Sequence, residues 1–74
     1  MTVEQLARGG EAVVVAIDGD GPFRRRLLEI GFVPGVLICR VGTAPLGDPI
    51  SVRIRGALVG LRKVDAARIR VRLP

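Results

Sequence analysis

Glycine and proline punctuate this chain where a path from helix to turn to strand to loop to strand needs them. Between Arg24 and Arg55, Gly31 follows the helical stretch, where a left-handed C-terminal cap is expected. Phe32-Val33-Pro34-Gly35 then reads as a turn, with Pro34 presetting one backbone angle and Gly35 free to take a positive one. Thr43 to Pro49 carries two prolines and a glycine and reads as a loop. Ile50 to Arg55 alternates cleanly, which places Ile50, Val52 and Ile54 inward and Ser51, Arg53 and Arg55 outward.

The flanking segments extend the same pattern. Thr2 with Gln5 fits a capping box over one turn that stops before Gly9-Gly10. Glu11 to Ile17 is rich in valine and reads as a strand buried enough to blur its alternation. Asp20 can cap the next helix, and Pro22 is tolerated in its first turn. That helix is Phe23 to Ile30, with an apolar stripe of Phe23, Leu27 and Ile30 and with Arg24, Arg25 and Glu29 off it. Val36 to Val41 is a second strand, Ala57 to Lys63 a fourth and Ile69 to Leu73 a fifth. Asp65 to Arg68 suits a single helical turn. The chain therefore reads as mainly β, with about five short strands and one short amphipathic helix between the first two. A small closed barrel is expected, because closure removes edges that so short a chain could not cover.

Seventy-four residues fit one domain over 1–74, and such a chain buries only about 60% of its unfolded surface. Its 49% apolar content supplies a small core. One cysteine, Cys39, forms no internal bridge, as suits a reducing compartment. Met1 to Gln5 is no start to a signal peptide, and the apolar run from Ala12 to Ile17 falls far short of the roughly 20 residues that span a bilayer. A cytosolic protein with no membrane insertion is expected.

With no histidine, the usual proton shuttle at neutral pH is missing, and Cys39 reads as a small core residue rather than a nucleophile. The seven carboxylates are scattered, mostly at caps and turns, so no enzyme is expected. Divalent transition metals favour imidazole, thiolate or clustered carboxylates, and only Asp18 and Asp20 come close together. Neither a metal site nor a cofactor is expected. Gly19-Asp20-Gly21 lacks the Gly-Lys-Ser/Thr ending of a phosphate loop, so any nucleotide hydrolysis belongs to a partner.

The charge of +5 favours anionic partners without choosing among them. Only Phe23 and Phe32 are aromatic, which leaves little for stacking bases, and specific nucleic-acid binding is not expected. Arg24-Arg25-Arg26 on the helix and the outward Arg53, Arg55, Arg70 and Arg72 form either a solvated face or a docking surface. The loop Ala44-Pro45-Leu46-Gly47-Asp48-Pro49 is either a rigid turn or a stiff platform presenting Leu46. Arg24, Arg25, Leu28 and Leu46 are the candidate partner contacts, with Leu28 at the margin of the helix stripe.

Three motifs in order, Leu28-(x)2-Gly31-(x)2-Pro34-Gly35, Ala44 to Pro49 and Leu61-Arg62-Lys63, give the chain its family likeness. From Val3 to Val71 it resembles the FeoA family of bacterial ferrous-iron transport accessory proteins. The resemblance implies an SH3-like small barrel. It also implies a role without catalysis or a small-molecule substrate, on the cytosolic portion of the FeoB membrane GTPase transporter. A related barrel ends the metal-dependent repressors similar to DtxR, so an SH3-like interaction module of a metalloregulator is the alternative, ahead of a small nucleic-acid-binding barrel. Nothing within these residues could form a helix-turn-helix.

Overall fold

A computed structural model describes residues 1–74. Strands β1 (Glu11–Ile17), β2 (Leu37–Thr43), β3 (Ile50–Ile54), β4 (Ala57–Leu61) and β5 (Ile69–Arg72) form one antiparallel sheet in the order β4-β3-β2-β1-β5. Helix α1 (Gly21–Ile30) lies between β1 and β2, as expected, and a single helical turn, α2 (Lys63–Ala66), joins β4 to β5. The hydrogen-bonded ladder does not run on from β4 to β5, so the barrel wall is open at that seam. Val3–Gln5 forms a 3-10 turn whose Thr2 N–H donates to Gln5 Oε1 at 2.8 Å.

One core of 15 buried residues fills the barrel, with Phe32, Leu27, Ile38, Ile50 and Ile69 among its largest members. β3 supplies Ile50, Val52 and Ile54, all buried. The strand stops at Ile54, however, because Arg55 (φ 49°) and Gly56 (φ 80°) make the two-residue turn into β4. Positive φ at both positions is the signature of the turn whose twist matches a hairpin. Arg55 is therefore a turn residue and not an outward strand residue.

The blurred pattern of β1 has a different cause from deep burial. Pairing with β5 skips Val15, so the strand bulges between Val14 and Ala16. The extra residue shifts the inward set from Ala12 and Val14 to Ile17. In β2, Ile38 is buried and Cys39 is only half-buried. Alternation turns Cys39 outward, opposite Glu11 and Arg53, which corrects its assignment to the core.

Gly31 (φ 130°) ends α1 as the pattern requires. Its N–H donates to Leu28 O at 3.1 Å and the Phe32 N–H to Leu27 O at 3.1 Å, the paired bonds of a Schellman motif. Leu27 and Phe32, both buried, provide the apolar contact that accompanies it. A side chain at Gly31 would also meet Ile54 Cδ1 at 3.3 Å. Gly31→Val is therefore expected to destabilise by about 1–3 kcal/mol, through strain at positive φ. Thermal melting checks it, and a variant that melts with the parent contradicts this ending of the helix.

Candidate functional site

The buried face of α1 is narrower than its stripe predicts. Leu27 is buried, Phe23 and Leu28 are half-buried against the core, and Ile30 is 40% exposed. Ile30 thus leaves the inward set. Phe32, just past the cap, is by contrast fully buried. Arg68 lies over the Phe23 ring at 5.0 Å, covering its outer side.

Arg24, Arg25 and Leu28 come together. With Asp20 and Gly21 they line a shallow depression of about 280 Å³ at the start of α1. Asp20 occupies the N-cap position in extended conformation, but its carboxylate makes no capping bond. Neither Arg24 nor Arg25 pairs with a carboxylate, unlike Arg26, Arg62 and Arg70. The depression therefore offers two guanidinium groups and one carboxylate, none of them ion-paired, around the exposed part of one leucine.

Leu46 does not line this depression. It stands at the tip of the β2–β3 loop and is 97% exposed. The loop beneath it is tied three ways. Ala44 N donates to Pro49 O at 2.9 Å, Gly47 N to Ala44 O at 2.8 Å, and Lys63 N to Asp48 Oδ1 at 3.0 Å. The last bond clips the loop to α2. An apolar side chain held this way loses little entropy when covered.

Two internal polar clusters escape a sequence reading. Asp65, 4% exposed, receives Arg62 Nε at 2.9 Å and Nη2 at 3.2 Å, and Arg26 Nη2 at 3.4 Å. Asp65 raises the pKa of the Arg62 guanidinium, first through the hydrogen bond and then through its charge. Arg40 donates through Nη1 to Glu4 O at 2.9 Å and Leu6 O at 2.6 Å, and through Nη2 to Thr43 Oγ1 at 2.7 Å. It ties the 3-10 turn to β2, while its buried Nε has no partner. Alternation hints at this placement, since Arg40 shares the face of buried Ile38. For Asp65 the local signal is Arg62, three residues earlier, whereas Arg26 lies 39 residues away in sequence.

No three His, Cys, Asp or Glu side chains come together in a way that could hold a metal ion. No helix is long and apolar enough to cross a membrane.

Comparison with known proteins agrees with the architecture. The chain is 48% identical over 73 residues to a Fe(2+) transport protein A/Fe(2+) transporter FeoB fusion protein of Porphyromonas gingivalis, and it spans 9% of that relative's length. It superposes with a TM-score of 0.93 on the solution structure of iron(II) transport protein A from Clostridium thermocellum, at 37% identity. That match covers 99% of this chain and 45% of the other. The crystal structure of Stenotrophomonas maltophilia FeoA complexed with zinc, described as a prokaryotic SH3 domain protein, matches with a TM-score of 0.84 at 32% identity. It covers 97% of this chain and 89% of that one. The SH3-like barrel expected from the sequence is thus the fold of this chain. Residues 1–73 match the model of the FeoA domain, and the chain belongs to that family.

Proposed function

We propose that this protein is a single-domain, non-enzymatic cytosolic adaptor of ferrous-iron uptake that binds or regulates the cytosolic portion of a FeoB-type transporter. The observation that carries the reading is the fusion relative, in which a homologue of nearly this whole chain is continuous with the transporter. Fusion places two partners at high effective concentration, and a separate adaptor must reach the same surface by affinity. The depression formed by Arg24, Arg25 and Leu28 supports such a role, as does the rigid loop bearing Leu46. An apolar centre gives affinity, while surrounding charges give rate and orientation.

Variants of the full chain test the assignment. Leu46→Asp is expected to weaken binding to the transporter's cytosolic portion about tenfold or more, the cost of placing a charge where an apolar contact forms. Leu28→Asp is expected to weaken it similarly, and circular dichroism separates lost contact from lost fold because Leu28 also packs on the core. Arg24→Glu chiefly slows association, with a salt dependence smaller than the parent's. Three folded variants that bind like the parent sink the site.

A further inference from the structure

The two ends of the sheet are treated differently. Along the outer edge of β5, the Val71 N–H donates to Met1 O at 2.8 Å and Thr2 bridges Arg70, so the N-terminal residues cover that edge. No segment covers the edge of β4. Its pairing with β3 runs uninterrupted through five residue pairs, and its sequence Ala-Leu-Val-Gly-Leu holds no charge and no proline. A bare edge normally carries one of those safeguards.

The edge presents defined groups. Two residues, Arg55 and Gly56, close the hairpin, so Ile54 and Ala57 exchange ladder bonds, as do Val52 with Val59 and Ile50 with Leu61. The N–H and C=O groups of Leu58 and Gly60 therefore point away from β3. No turn or loop backbone bond reaches either residue. Leu58 is 60% exposed, and the space beside the Gly60 Cα is open. Beside the same strand lies a cleft of about 190 Å³, lined by Leu27 and Ile30 of α1, Gly60 and Leu61 of β4, and Arg26, Arg62 and Asp65. Two guanidinium groups against one carboxylate leave the cleft one positive charge.

We propose that β4 accepts an extended polypeptide segment as a sixth strand, in which an apolar side chain enters the Leu27–Ile30–Leu61 cleft and a carboxylate two residues away, on the same face, meets Arg26 and Arg62. Main-chain bonds to Leu58 and Gly60 supply affinity, and the cleft and its charge supply selectivity. Charge complementarity selects an acidic segment from another protein. A second copy is a poor occupant. Antiparallel β4–β4 pairing around Val59 would set Arg55 against Lys63 at both ends, with Arg62 alongside. This surface does not include the Arg24–Arg25–Leu28 depression and needs no transporter.

The probe is a short capped peptide with leucine and aspartate taking turns at every second position, so that both share one face, and threonine between them, titrated into the isotope-labelled full chain. Saturation is expected to shift the Leu58 and Gly60 amides and slow their hydrogen exchange about tenfold or more. Replacing the peptide's acids with lysine is expected to weaken binding about tenfold or more. Gly60→Pro removes one outward donor while leaving the ladder to β3 intact, and is expected to weaken binding about tenfold. Ile30→Asp, at an exposed position on the cleft, should do the same with no demand on the strand. Unmoved Leu58 and Gly60 amides overturn the proposal, as do Gly60→Pro and Ile30→Asp variants that both bind like the parent. Equal binding of the lysine peptide removes the acidic partner. A concentration-dependent dimer through β4 in the absence of peptide gives the edge to a second copy and overturns it too.

Discussion

Phe32→Ala is expected to lower stability by about 3–5 kcal/mol, the usual cost of emptying a buried aromatic site. Phe32 is the largest of the fully buried side chains. Small domains carry only about 5–15 kcal/mol in total, so this one change removes a large share. At roughly 4–8 °C per kcal/mol for a chain of this size, the melting midpoint should fall by at least about 12 °C. The loss comes from packing, because the Phe32 N–H bond to Leu27 O is made by the backbone and survives the change. A fall of less than about 4 °C would mean that the core closes around the site at little cost, contrary to this account.

The second large effect is at Arg40. Arg40→Met keeps most of the apolar stem but removes the donors to Glu4 O, Leu6 O and Thr43 Oγ1. Bonds from charged donors contribute more than neutral ones, and orphaned acceptors add their own penalty, so a loss of about 2–4 kcal/mol is expected. The damage should be local first. Amides of the segment from Val3 to Gly10 should exchange faster than those of β3, even where the variant remains folded. Unchanged exchange in that segment, with a melting midpoint within about 4 °C of the parent, would contradict the tethering role.

These two residues also mark where sequence reading stops. Pro34-Gly35 correctly signals a turn, and Gly31 a helix end. Assigning Phe32 to that turn hides its burial, because a residue just past a helix cap follows neither the helical nor the strand period. Arg40 looks like one more solvated cation until the fold brings the carbonyls of Glu4 and Leu6 to it. Asp65 is only partly legible, since Arg62 lies three residues before it but Arg26 reaches it only in three dimensions. By contrast, the alternation of Ile50, Val52 and Ile54 is local and was legible in full. The single bulge in β1 then explains why the same rule gave no clear answer there.

The candidate contacts were legible for a different reason. Arg24, Arg25 and Leu28 lie within one helical turn and a neighbouring residue, so helix geometry alone brings them to one surface. Leu46 was legible through its surroundings, since prolines and a glycine tie down the loop that exposes it. No pattern within the chain encodes what such positions would meet.

The most direct measurement of the central claim is a titration of the isotope-labelled protein with the cytosolic portion of a FeoB-type transporter, followed amide by amide. This account predicts saturable perturbations at residues 20–28 and 44–49, reduced by Leu46→Asp. No perturbation at any concentration, or changes confined to residues outside those two segments, would contradict it.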